Sequence, residues 1–227
     1  MRDQILSYIE MCARERMSLQ RGMNYSDPPG VSIVLMSRRA NAPYVDEMSD
    51  DGTELIYEGH DVPKGPSIRD PKSVDQPWVT ASGRPTENGK FARASERIAG
   101  AQPQVRVYEK LKQGIWSDKG LFELVGYEYR SDGDRKVFKF RMRLASDQEV
   151  PGDMVMAADR PMSRMIPGWV KQEVYKRDRG RCVICGSEDQ LHFDHDLPYS
   201  RGGTSLTPEN VRVLCARHNL KKGARIE

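Results

Sequence analysis

Hydrophobic positions recur at three- and four-residue steps over the first twenty residues. Ile5, Ile9 and Cys12 form one series, and Leu6, Ile9, Ala13 and Met17 another. The spacing predicts a helix over residues 1–20. From residue 31 the pattern changes to short runs rich in β-branched and aromatic residues: "SIVLM", "ELIYEG", "QVRVYEKL", "LFELVGYEY" and "KVFKFRMRL". Clusters such as "DDG", "PKGPS" and "SDGD" separate them, so each run reads as a strand. In the last run Phe138, Phe140, Met142 and Leu144 alternate with basic residues, as in a half-exposed strand, and only Val137 falls outside the alternation. Several strands with one or two helices predict a mixed, barrel-like sheet domain over about residues 25–145. The stretch "ASDQEVPGDMVMAADRPMSRMIPG" (145–168) has no stable period and three prolines, and reads as a linker. "WVKQEVYKRDRG" then predicts a short helix ended by Gly180.

With 227 residues the chain can form one large domain or two modest ones. Hydrophobic content of 37% and charged content of 30% describe an ordinary soluble protein. No apolar run approaches the ~20 residues of a membrane helix. The start "MRDQILSYIEMCARERM" lacks the apolar core of a signal peptide, so the expected place is the cytoplasm, with no membrane partner. The net charge of +3 is unevenly spread: residues 1–167 hold 25 basic and 25 acidic side chains, residues 168–227 hold 11 and 8. A mildly basic tail fits a polyanionic partner or a solvated surface, and charge alone does not choose.

Three of four cysteines lie in that tail, which without a secretion signal favours metal over disulfides. Cys12 reads as a buried or spare thiol. Cys182-x2-Cys185 and Cys215-x2-His218 form two ligand pairs. A two-residue gap lets both side chains of a tight knuckle meet one tetrahedral ion, and thiolate with imidazole suits zinc. Four ligands close the coordination sphere, so this zinc would be structural; the alternative is three unrelated thiols.

Between and beyond the knuckles run "DHDLPYSRGGT", "PENVRVLCARHN" and "KKG". With "CVICG", these resemble the HNH nuclease family over residues 167–227. The resemblance implies a ββα-metal fold with Asp194-His195 on a strand, Asn210 in the following loop and Asn219 on the helix. Its chemistry fits the residue types. His195 can take a proton from water near neutral pH. Asp194 and Asn219 offer hard oxygens to a Mg²⁺ or Mn²⁺ ion against the phosphate. Asn210 would brace the loop and orient His195. His-Asn-Asn replaces the triplet that gives the family its name. His192, beside the strand, reads as a surface residue.

Upstream, "SIVLMS", "YVDEMSDDGTELIYEGHD", "DQP", "TENGKFARAS", "QVRVYE", "GLFELVGYEY" and "KVFKFRMRL" occur in the order found in SRA domains. These domains, PUA-like β-barrels, read modified cytosine by flipping it from the duplex. The resemblance implies Tyr44 and Tyr57 as stacking residues, and Asp46 or Glu47, with preference for Asp46, as acceptor of the cytosine amine. Glu58 and Gly59 would form the turn whose backbone lines the pocket. Asn88, Lys90 and Arg93 would lie on the loop that approaches the duplex. "LQRGMNY" and the first helix fall outside the resemblance.

The whole chain therefore reads as α+β: an SRA-like domain with its N-terminal helix (1–145), a linker (146–166) and an HNH domain with a structural zinc (167–227). The two resemblances together imply a modification-dependent restriction endonuclease that binds double-stranded DNA carrying 5-methylcytosine or a related base. It would serve phage defence in a prokaryotic cytoplasm, and homodimers would cut both strands. The alternatives are a non-catalytic modified-DNA-binding protein and a modification-blind HNH nuclease.

Overall fold

The computed structural model describes residues 4–96, 102–145, 166–198 and 203–222. The linker read over 146–166 therefore lies, apart from Ile166, outside the described residues. So do residues 199–202, within "DHDLPYSRGGT".

The first domain is built on a mixed eight-stranded sheet. Hydrogen bonding runs in the order β2 (Met23–Asn24), β3 (Ser32–Met36), β6 (Gln104–Lys112), β7 (Ile115–Ser131), β8 (Lys136–Leu144), β5 (Glu54–Glu58) and β4 (Glu47–Met48). A further strand, β1 (Ile5–Ser7), also pairs with β7. Among the described strands only β3 and β6 run parallel; the other pairings of this sheet are antiparallel. Each of the five β-rich runs contains a strand. "LFELVGYEY" is the second part of a longer one, because β7 pairs with β6 through its first half and with β8 through its second.

The N-terminal helix is shorter than its periodicity predicts. Among the described residues of that span only Tyr8–Glu15 (α1) is α-helical, and Ile5–Ser7 is a strand. Ile5 and Leu6 are both buried but in different apolar clusters, which the two faces of a strand allow and one helix stripe does not. Ser7 and Glu10 then start the helix by a reciprocal capping box. Arg16, at φ 55°, ends it in the left-handed region.

Phe138, Phe140 and Met142 point from β8 into the main core, as their alternation predicts. Val137 and Lys139 are buried too, so the opposite face of this strand is not simply solvated. A second helix, α2 (Glu87–Ser95), lays Phe91, Ala92 and Ala94 onto the same core. It occupies "TENGKFARAS", read above as a loop; Thr86 caps it by accepting from the Gly89 N–H at 3.2 Å.

The C-terminal module comprises α3 (Gly168–Arg177), β9 (Leu191–His195), β10 (Val211–Cys215) and α4 (Ala216–Lys222). β9 and β10 pair antiparallel, with Asp194 opposite Arg212 and His195 opposite Val211. No described helix is long and apolar enough to cross a membrane.

Candidate functional site

Cys182 and Cys185 sit in a knuckle after α3, closed by the Gly186 N–H on the Cys182 carbonyl at 2.8 Å. Gly186 takes φ 73°, a conformation glycine adopts without strain. Cys215 ends β10, and His218 lies on the first turn of α4, so strand and helix deliver the second pair. His218 Nδ1 is 3.4 Å from Cys182 Sγ and 3.3 Å from Cys215 Sγ, and the Cys185 and Cys215 sulfurs are 3.9 Å apart. Zinc bonds of ~2.3 Å to sulfur and ~2.0 Å to nitrogen place tetrahedral ligands roughly 3.5–3.8 Å apart. The Cys3His group thus has the dimensions of a closed metal site. Burial pushes the Cys182 thiol up, but backbone N–H groups and His218 outweigh it and favour the thiolate.

Asp194 and His195 are consecutive on β9 and half-buried. Lys222 on α4 donates to Asp194 Oδ2 at 2.5 Å and also to the His195 carbonyl. Asn219, the other oxygen donor suggested for an ion, lies one turn before Lys222 on α4. His195 Nε2 lies 2.8 Å from Ser205 Oγ. Asn210 braces the loop: it accepts from the Leu197 N–H at 2.8 Å and donates to the Thr204 carbonyl at 2.8 Å. Its side chain is thereby committed to the loop, and the partner of His195 Nε2 is Ser205. Neither Ser205 nor Lys222 was singled out by the sequence. Lys222 lay in the quoted "KKG", with nothing local to mark it. His192 is buried, not on the surface, and forms a backbone bridge with Gln4.

The first domain holds a cavity of about 890 Å³ lined by Tyr44, Asp46, Tyr57, His60 and Gly22, among others. Asp46 is fixed at both oxygens: Oδ2 accepts from the Ser37 N–H at 2.9 Å and Oδ1 from the Glu58 N–H at 3.1 Å. Burial pushes its carboxyl up to about 6, against the opposing pull of those N–H groups. Glu47 is exposed on β4, so of the two acidic candidates only Asp46 faces the cavity.

Tyr44 stacks on His60, ring centroids 5.1 Å apart and 12° from parallel. Tyr57 is 1% exposed, belongs to the main core, and also lines the cavity. Its hydroxyl donates to the Gly22 carbonyl at 3.1 Å and lies 3.0 Å from His60 Nε2. A Cβ at Gly22 would come within 2.8 Å of His60, so the "LQRGMNY" segment packs against the pocket as closely as glycine allows. Burial lowers His60 to about 4, which keeps the imidazole neutral near pH 7.

Glu58 gives its backbone N–H to Asp46, while its side chain points to the other face of β5. There it accepts from Lys139 at 3.1 Å and from the Val45 N–H at 3.0 Å. The Gly59 carbonyl accepts from Gln76 of "DQP" at 2.7 Å. Asn88 is buried and exchanges hydrogen bonds with the His60 backbone, 2.8 Å each way. It positions the pocket turn and is not an outward residue. Lys90 pairs with Glu87 at 2.6 Å, and Arg93 is exposed on α2.

Residues 182–225 match the model of the HNH endonuclease family. No curated protein sequence matches the chain. Among solved structures, the chain is similar to the SUVH5 SRA domain in complex with hemi-methylated CG DNA. That likeness has 22% identity and a TM-score of 0.43, over 69% of this chain and 92% of the other. The modification-dependent TagI restriction endonuclease is similar over 89% of this chain and 70% of its own, with 19% identity and a TM-score of 0.38. SUVH6 of Arabidopsis thaliana, in complex with SAM, is similar over 66% of this chain and 26% of its own, with 21% identity and a TM-score of 0.41. The C-terminal module, with its Asp-His strand and Cys3His group, carries an HNH endonuclease domain.

Proposed function

We propose that the chain is a modification-dependent DNA endonuclease in which the first domain holds a flipped modified cytosine and the HNH domain hydrolyses the phosphodiester backbone. One observation carries this reading: a half-buried carboxylate, Asp46, is presented beside stacked rings in a cavity of about 890 Å³, in the same chain as an HNH domain. An extruded base needs a flat surface and an acceptor for its amine, and Tyr44 and Asp46 offer both.

In the nuclease half, His195 takes a proton from the attacking water, with Ser205 holding Nε2 and fixing the ring. Asp194 and Asn219 would hold a Mg²⁺- or Mn²⁺-type ion, since a carboxylate and an amide oxygen are the hard donors such ions take. Oδ2 of Asp194 already faces a cation, the Lys222 ammonium, so the position suits positive charge. When bound, the ion neutralises charge on the phosphate and the leaving oxygen. Zinc in the Cys3His group would be structural, because its four ligands leave no open position. A second copy of the chain would supply the second cut, and a prokaryotic cytoplasm facing modified phage DNA is the setting we propose.

The pairing of Asp194 with an internal lysine also favours a binding-only module, whose strand needs no ion. His195→Ala separates the two readings. With zinc content and folding retained, metal-dependent nicking is expected to vanish. Wild-type protein that binds but never nicks would leave the binding reading.

A further inference from the structure

The nuclease module shares its interior with the first domain. Ile5 of β1 and Leu111 of β6 lie in one buried cluster with Ile166, Val170 and Val174 around α3, and with Leu191 and Phe193 of β9. Backbone pairing continues across the junction, because Gln4 bridges His192 next to β1. A tethered but independent module would not place its main apolar cluster on another domain.

The charges at this junction are as closely fitted. Lys171 of α3 is 0% exposed; its Nζ donates to Ser117 Oγ of β7 at 3.0 Å and lies 5.8 Å from the centre of the Phe193 ring. Glu109 of β6, also 0% exposed, takes Arg38 at 3.0 and 2.9 Å and lies 3.5 Å from Lys119. Lys119 in turn donates to the Ile166 carbonyl at 3.5 Å. Although burial pushes Glu109 up, the charges of Lys119, Arg38 and Lys171 outweigh it and hold the carboxyl down. At the start of α3, a Cβ on Gly168 would lie 2.0 Å from Glu109 Oε1. A buried lysine is tolerated only with partners in place, and those of Lys171 include Ser117 of the first domain as well as the Phe193 ring of its own module.

We propose that Lys171 and Gly168 are positioning residues that lock the nuclease module onto the first domain, so that docking across α3, and not the connecting segment, sets where the strand is cut. The cut-position arm of the test rests on the function proposed above; the association arm does not. A protease site placed between residues 146 and 165 allows the full chain to be nicked after folding. The two pieces are expected to migrate together, one to one, through gel filtration at micromolar concentration. Separation of two folded pieces would overturn the proposal.

Lys171→Glu, which sets a carboxylate against Glu109, is expected to weaken that association at least about tenfold. If that variant does not fold, Ser117→Val, which removes the acceptor for the lysine, replaces it. Unchanged association in a folded variant would overturn the role of Lys171. In the intact chain, a glycine-serine insertion in the same segment is expected to leave the cut positions unchanged. Scattered cuts would overturn the locking. Absence of any cutting by the wild type would count against the proposed function, and the association result would still decide the docking.

Discussion

Lys222 lays its ammonium 2.5 Å from Asp194 Oδ2, with 1% of the lysine side chain exposed. The only carboxylate on the Asp-His strand is therefore neutralised from within the chain. Lys222→Met removes that internal cation, and Mn²⁺ titration should then show tighter binding than wild type even if cutting falls. Unchanged affinity would mean that ion and ammonium take different places.

Asp194→Asn leaves the lysine buried without its counter-charge. A loss of about 3 kcal/mol in denaturant stability is expected, together with loss of cutting. Wild-type stability in a folded variant would show that the pair contributes little to the module.

Acidification should act on the pocket through Asp46, because its carboxyl titrates near 6 while His60, near 4, stays neutral. An ionised carboxylate accepts from the cytosine amine more strongly than a protonated one, so affinity for modified DNA should fall as pH drops through 6. Stability should respond with the opposite sign. The folded carboxyl holds its proton more tightly than the ordinary 3.8, so the folded state is penalised once the group ionises. That penalty, on the order of 3 kcal/mol above pH 6, is relieved between pH 6 and 4. Asp46→Asn should flatten both profiles, measured by anisotropy and by urea denaturation; a persisting step in binding would assign it elsewhere.

Tyr44 and Tyr57 should part company. Tyr44→Ala removes a stacking surface worth roughly 1–3 kcal/mol per base, so binding to modified duplex should weaken while binding to unmodified duplex stays. Tyr57 is a core residue with its hydroxyl on Gly22, and Tyr57→Ala should cost about 3–5 kcal/mol of stability. Equal losses on both duplexes for a folded Tyr44→Ala would place Tyr44 outside recognition.

These contrasts mark what a sequence can convey. The metal knuckles and Asp194-His195 were legible because the residues of each pair lie within a few positions of one another in sequence. The five β-rich runs were legible for the same reason. His60, Gly22 and Ser37 were not, since each reaches the pocket through the folded sheet: Tyr57 meets Gly22 across 35 residues. Ser205 and Lys222 are likewise joined to the Asp-His strand only by tertiary contact. That the Glu58 side chain leaves the opposite face of β5 from Tyr57 was legible in principle, because neighbours on a strand face opposite ways. The strand at Ile5–Ser7 was hidden by a short run whose spacing suits a helix equally well.

Metal removal should separate module from pocket. Cys182→Ser or Cys215→Ser is expected to release one zinc per chain and to unfold the C-terminal module. Binding to modified DNA should persist if the first domain keeps its fold. Full zinc content in either variant, measured by elemental analysis, would contradict the ligand assignment.

The most direct measurement is cutting of matched duplexes bearing cytosine, 5-methylcytosine, 5-hydroxymethylcytosine or glucosylated hydroxymethylcytosine, with Mg²⁺ or Mn²⁺ present. Products confined to one or more modified duplexes are the predicted result. Equal cutting of all four would contradict recognition by the Asp46 pocket, and binding without cutting would contradict hydrolysis at His195.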